Sequence, residues 1–387
     1  MECNFGRASA LAYLLAASAL LSNAAFAQIA ISANDNKAVL IDGNNTVPDN
    51  AAADTVTILD LGTNPPKIIA ELKAPASVVG PPQSVAISRD ESFALVTGAF
   101  KLDPADPKKA IPDDKVSVID LKAKPAAVIQ TIEAGKGAAG VTINRAGTLA
   151  LVANRSEGTV SVFAIAGNKL TAARKLSLGD KSGPSAIAFT PDGKHALVTR
   201  DGDNKISLLN VDGDKVEHSK RDINAGLRPY SMEVSQKGDI ALVGNIGLGQ
   251  GDADTMSIID LTLSPPRVVD TVTVGQTPEG VSLSPDGRFA AATVMNGSNK
   301  PKASPFFNDH GLVRIYAINN KKLTFVAEAK VGHWCQGSAW SKDSKTIVVQ
   351  CMVEKELQVF RFNGQTLTRS GVLKMSGGPA GIRTADH

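Results

Sequence analysis

Aromatic residues, histidine and unbalanced charge are what this chain most lacks. Phenylalanine, tryptophan and tyrosine together make 4% of its 387 residues, so stacking platforms for bases or sugars would rest on very few side chains. The formal net charge is +3, with no concentrated basic stretch, which argues against a nucleic-acid binder. The five histidines follow no metal-ligand spacing: His195 falls between a turn and a strand, His218 in a charged outer segment, and His387 ends the chain. His310 and His333 belong to loops. No G-x-S-x-G, H-E-x-x-H, phosphate-loop or C-x-x-C-H motif occurs, so no metal or cofactor is expected. Asp201-Gly202-Asp203 and Asp252-Ala253-Asp254 complete no EF-hand-like loop and read as ordinary turns.

The first 27 residues stand apart from the rest. Arg7 supplies a thin positive start, Ala8 to Leu21 is almost unbroken apolar sequence, and Ala25-Phe26-Ala27 offers small residues for cleavage before Gln28. That run is short for a membrane span, which takes roughly twenty residues. A signal peptide over residues 1–27 is expected, with a mature domain over 28–387 in the periplasm or secreted. No later run is long and apolar enough to cross a bilayer, so no membrane span is expected in the mature chain. Glu2 and Arg7 leave together, so the net charge is unchanged.

What the chain does have is a repeat. Ser282-Leu283-Ser284-Pro285-Asp286-Gly287-Arg288, followed by an apolar run from Phe289, reads as strand, tight turn and strand. With the turn residue as anchor, the pattern recurs at Asn34, Asp90, Ala146, Asp192, Lys237, Asp286 and Asp343, 45–57 residues apart. A third apolar segment follows each hairpin, as in Val116-Ser117-Val118, and a weaker fourth follows in most units, as at Arg267 to Val274. The alternation slips at Ile119-Asp120-Leu121, which a strand buried on both faces or a bulge would explain. Four strands per unit at this spacing predict an all-β, seven-bladed propeller of four antiparallel strands per blade. Gln28 to Ser32 is expected as the first inner strand, with the tail Gly378 to Ile382, which looks like an eighth entry loop, docking beside it.

Ala150-Leu151-Val152-Ala153-Asn154, leading to Thr159-Val160-Ser161-Val162, resembles the YVTN-type repeat of bacterial propellers. The wider superfamily it resembles includes lactonase-like propellers and the propeller subunits of periplasmic amine dehydrogenases. The resemblance implies the fold over the whole mature chain and leaves the chemistry open, because one fold hosts many functions.

In such a ring, the loops entering each first strand share a face with those joining second to third strands. An entry column lies eight residues before the anchors, at Pro82, Ala138, Pro184, Pro229, Pro278 and Cys335. Small residues two positions beyond it, at Ser84, Gly140, Ala186, Ser231, Gly280 and Gly337, let inner strands crowd around an axis. Between the columns, Gln83, Ala139, Ser185, Tyr230, Glu279 and Gln336 should rim the channel. Eight residues after each anchor come Asp42, Gly98, Asn154, Arg200, Asn245, Val294 and Cys351. The last two sets are irregular and mostly polar. They suggest a ligand site carried by Gln83, Asn154, Arg200, Tyr230, Asn245 and Gln336. Long insertions at 98–114, 245–254 and 295–311 fall on the same face.

Three functions compete on this reading. The first is a binding propeller whose loop-rich face recognises an unidentified small molecule, an envelope component or a protein partner. The second, suggested by the lactonase-like resemblance, is a hydrolase at the channel mouth. Opening a lactone needs a base for water and a donor for the oxyanion, roles that Glu279 or His333 and Arg228 or Arg200 would fill. The third is a scaffold subunit of a periplasmic redox enzyme whose cofactor belongs to another chain. Finally, Cys335 and Cys351 lie eight residues either side of Asp343, so they should face each other across one hairpin and form a disulfide.

Overall fold

The hairpin turns anchored on aspartate are set by local chemistry. The Asp carboxylate accepts from a Ser or Thr hydroxyl two residues earlier: Ser284 to Asp286 at 2.6 Å, Thr190 to Asp192 at 2.5 Å, and Ser88 to Asp90 at 2.7 Å. Gly193 and Gly287 follow with φ of +69° and +70°, a region that strains any side chain.

In the computed structural model, which describes Met1 and residues 28–385, these hairpins grow into seven four-stranded antiparallel sheets. The sheets are the blades of one ring. Their inner strands are Val85–Ile87 in blade 2, Ala138–Ile143 in blade 3, Pro184–Phe189 in blade 4, Pro229–Val234 in blade 5, Pro278–Leu283 in blade 6 and Cys335–Trp340 in blade 7. Every element among the described residues is a strand, and no helix there is long and apolar enough to cross a membrane. The expected signal peptide, its cleavage near Ala27, and His387 lie outside the described residues.

Blade 1 corrects two expectations. Its inner strand is the C-terminal Gly378–Thr384, and the N-terminal Ile29–Asp35 is its second strand, not its first. Asn34 is therefore no turn. Its amide donates to Thr55 Oγ1 at 3.1 Å and Thr57 Oγ1 at 2.9 Å, as Asn154 does to Thr159 and Ser161 and Asn245 to Thr255 and Ser257. Asp42, placed in that column by counting from Asn34, instead sits with φ +43° at the tip of a small hairpin, Val39–Ile41 with Asn44–Thr46. Blade 1 needs no connecting turn because the two ends of the chain pair directly.

The core lies in layers between blades. Leu95, Val116 and Val118 of blade 2 pack with Val141, Val152 and Phe163 of blade 3, and similar clusters join other blades around the ring. Burying each such side chain contributes about 1.5–3 kcal/mol. Third strands are buried on both faces, as in Val116 to Ile119, which accounts for their slipped alternation. The bulge sits on the fourth strand: Gln130 pairs with Val118 and Val128 with Ile119, leaving Ile129 exposed between them.

The column of small residues is a steric requirement. A Cβ on Gly140 would lie 2.3 Å from Ser185 O, and one on Gly280 2.5 Å from Gln336 O. Pro82 comes within 2.5 Å of a Cβ built on Gly337, so the axis is tightly packed at this level. A cavity therefore opens at each mouth of the ring.

The predicted disulfide is present. Cys335 and Cys351 are register partners with Cα atoms 4.0 Å apart, and both are fully buried.

Candidate functional site

The upper mouth carries the entry loops and the second-to-third-strand loops. The residues after each blade's second strand behave differently from those that end it. Asn154, Arg200 and Asn245 end second strands and spend most of their polar groups inside their own blades. Arg200 donates to Ser207 Oγ at 3.0 Å and ion-pairs with Asp203 and Asp222. The next residue in each chain crosses between blades. Arg155 follows Asn154, Asp201 follows Arg200, and Asp35 follows Asn34.

These residues build a charged cluster across blades 3 to 6. Asp201 of blade 4 is 4% exposed and accepts from Arg155 Nη2 of blade 3 at 2.6 Å and from Arg228 Nη2 of blade 5 at 2.8 Å. Ser185 Oγ adds a third donor at 2.9 Å. Burial works against the Asp201 charge, but these donors outweigh it and hold the carboxyl below its ordinary range. The Arg155 guanidinium lies 5.7 Å from the Tyr230 ring centroid.

Glu279, 6% exposed, lies behind this pair, with the Tyr230 hydroxyl directed at its carboxyl. Burial pushes its pKa up to about 8 against the pull of Arg155 and Arg228. At neutral pH it is a protonated acid. Tyr230 is itself raised, by burial first and then by Glu279, and its hydroxyl reaches the backbone N–H of Gly80 from the blade 2 entry loop.

Arg228 is held in an uncommon conformation. Its φ is +54°, at the position before the inner strand where blades 3 and 4 have Gly137 at +72° and Gly183 at +59°. Thr277 at +54° and Trp334 at +48° hold the same position in blades 6 and 7, so the conformation belongs to the repeat rather than to Arg228 alone. From this position the Arg228 guanidinium reaches Asp201.

Above the cluster lies an open hollow of about 520 Å³, lined by Arg155, Lys181, Asp201, Asn204, Arg228 and Leu248 among others. Blades 3 and 4 have short loops here. Elsewhere the face is covered: the 39–46 hairpin meets the 296–309 loop through Lys302 N to Asp42 Oδ1 at 3.2 Å, and Lys300 reaches Gly249 O. Gln83 and Gln336 are buried in the same column as Glu279, and their Oε1 atoms have no partner among the described residues. His333 belongs to blade 7, where its Nδ1 is 2.6 Å from Glu354 Oε1. The charges acting on Glu279 are instead Arg155, Arg228 and Asp201.

Sequence reasoning brought Arg228, Tyr230 and Glu279 to this face but missed Arg155 and Asp201. The missed signal lay one residue beyond the inspected column. There Asp35, Ala99, Arg155, Asp201, Ile246, Met295 and Met352 mix charged and apolar types, and all but Arg155 are under 9% exposed.

Comparison with known proteins agrees with this architecture. The model of the seven-bladed β-propeller lactonases matches residues 113–217, from blade 2 into blade 4, and includes Arg155 and Asp201. The resemblance to lactonase-like propellers is thus borne out. No curated protein matches the sequence. Among solved structures, the periplasmic gluconolactonase of Pseudomonas aeruginosa is similar with a TM-score of 0.66 at 15% identity, over 92% of this chain and 99% of that one. A functionally unknown protein from Desulfotomaculum acetoxidans gives 0.69 at 16% identity, over 92% and 99%. Hydrazine synthase of Kuenenia stuttgartiensis gives 0.61 at 18%, over 80% and 90%. At such identities the likeness concerns the fold alone.

Proposed function

We propose that this lactonase-like propeller is an exported binding protein whose upper hollow takes a small ligand bearing a carboxylate or phosphate. The observation that carries the reading is that Arg155 and Arg228 share a single buried carboxylate, Asp201. Two guanidinium charges against one buried acid leave one positive charge in excess, while at the rim Lys181 is balanced by Asp180. Guanidinium edges bind planar or tetrahedral oxyanions through paired N–H donors. Asp201 pre-orients both groups, so less conformational freedom is lost on binding. Leu227 and Leu248 supply an apolar wall. The disulfide fits an oxidising destination such as the periplasm.

Sugar acids are the first ligands to test, given the gluconolactonase among the similar structures. In calorimetric titrations with gluconate and inorganic phosphate, Arg155→Ala should weaken binding tenfold or more. Saturable binding of neither anion by the native protein would reject the reading.

Lactone hydrolysis is the second reading, favoured by the family match across blades 3 and 4. Arg155 and Arg228 suit an oxyanion, but a base is harder to find: Glu279 keeps its proton until about pH 8, and Asp201 is taken up by three donors. A hydrolase working through Glu279 should therefore gain activity on gluconolactone as pH rises through 8, and lose it in Glu279→Gln. Turnover no faster than the buffer reaction from pH 6 to 9 would leave binding alone.

A further inference from the structure

The lower mouth, opposite the charged cluster, holds a larger funnel of about 1110 Å³. Three arginines from adjacent blades face it. Arg89 of blade 2 and Arg145 of blade 3 each stand one residue before the turn anchor, and Arg383 comes from the inner strand of blade 1. The repeat does not call for arginine at that turn position, since blades 4 and 6 have Pro191 and Pro285 there. Arg383 pairs across the axis with Glu233 of blade 5 at 3.3 Å. Arg89 and Arg145 are exposed and make no side-chain hydrogen bond or ion pair among the described residues.

All three arginines also line one narrow recess in the funnel wall, of about 50 Å³, closed on its apolar side by Ile87, Phe189 and Val234. That volume holds a few water-sized groups, on the scale of one acid headgroup, since a single water needs roughly 10–15 Å³ of such space. Three guanidiniums against the single Glu233 leave two positive charges around the recess. The rest of the funnel lining carries Lys237, Arg288, Lys321 and Lys342 against Asp239 and Asp286, so the excess stays positive. The fold uses neither Arg89 nor Arg145, and a low-dielectric wall beside them strengthens attraction for an anion.

We propose that the lower funnel is a second binding site, for a small ligand carrying at least two acidic groups, one seated in the recess between Arg89, Arg145 and Arg383. The body of the ligand then occupies the wider funnel toward Ser235 and Gln236. This site is separate from the upper hollow, because Pro82 and the small-residue column pack the axis between them.

Equilibrium dialysis in 150 mM salt tests it, with labelled pyrophosphate and labelled citrate as probes. The native protein should bind at least one of them saturably. Arg89→Ala combined with Arg145→Ala should weaken that binding tenfold or more, while Arg155→Ala in the upper hollow retains it. Both substituted side chains are exposed, and an unchanged melting temperature will show that the variant is folded. Binding of pyrophosphate alone identifies a phosphate ligand, binding of citrate alone a polycarboxylate, and binding of both a site selecting charge. Equal binding by the native protein and the double variant, or no saturable binding of either probe by the native protein, overturns the proposal.

Discussion

At the upper mouth, Arg155 and Arg228 close on Asp201 at 2.6 and 2.8 Å, and a buried Glu279 sits behind them. At the lower mouth, Arg89 and Arg145 stand in water with no protein partner among the described residues. The two mouths use similar side chains in opposite ways. The upper carboxyls Asp201 and Glu279 are buried and shifted in pKa, and two half-buried guanidiniums are hydrogen-bonded to Asp201, so these charges are part of the fold as well as of any site. Lower charges cost the fold little and are free to meet a ligand. Substitutions should therefore change stability at one mouth and only binding at the other.

The largest effect is expected at Asp201. Asp201→Asn leaves two guanidiniums converging on a neutral amide. Removing one partner of a buried charge network is strongly destabilising, and with both arginines partly exposed a loss of about 3 kcal/mol is expected. The carboxyl is depressed in the folded state, so its contribution is present above its unfolded value of 3.8 and is lost as pH falls through the lower folded value. Urea denaturation at pH 7 and at pH 3 should show the native and variant proteins converging in acid. A variant as stable as the native protein at pH 7 would remove the structural half of the contrast.

Blade 7 flanks the same mouth with the Cys335–Cys351 bridge, which closes a loop of 16 residues. In the chain-entropy model, such a loop is worth about 3 kcal/mol. Mutating both cysteines to serine should lower the melting temperature by several degrees, and reductant should do the same to the native protein alone. A native protein indifferent to reductant would mean the bridge contributes little to the ring.

Glu279 is expected to have an effect no larger than these, and of opposite sign. Its folded pKa is raised to about 8 from 4.5, so between those values the folded chain holds a proton that the unfolded chain releases. Stability therefore falls as pH rises across that window, and none is lost below 4.5. Glu279→Gln removes the penalty and should stabilise the protein by up to about 3 kcal/mol at pH 7, and by less at pH 5. Thermal melts at both pH values check it. A variant destabilised equally at both would mean that the carboxyl is held as an anion.

Much of this architecture was legible in the sequence. Ser-x-Asp-Gly turns are local chemistry, and the glycine column marks backbone contacts such as Gly140 to Ser185 O that no Cβ allows. The facing cysteines followed from counting around one such turn. Blade 1 was misread because its hairpin has no turn to count from: the Asn34 that looked like an anchor fastens a third strand. The upper cluster was half legible for a related reason. Strand alternation sends Asn154 into its blade and Arg155 out of it, and a shift of one residue exchanges those roles. The pairing of Arg155 with Asp201, 46 residues away, depends on the angle between neighbouring blades, which repeat spacing does not encode.

The smallest stability effect belongs to the lower mouth, and it makes the contrast most direct. Arg89 and Arg145 are exposed turn residues whose side chains contact no hydrogen-bonding partner among the described residues. Replacing both with alanine removes no packed volume and orphans no acid. It also relieves repulsion between like charges facing one funnel. Surface substitutions of this kind usually fall within about 0.5 kcal/mol of neutral, so the melting temperature should move by less than about 2 °C. Adding salt should stabilise the native protein slightly more than the double variant, because screening relieves a repulsion only the native protein has. A drop of 5 °C or more on mutation would mean that the arginines hold the lower turns together. The charge at that mouth would then belong to the fold, as it does above.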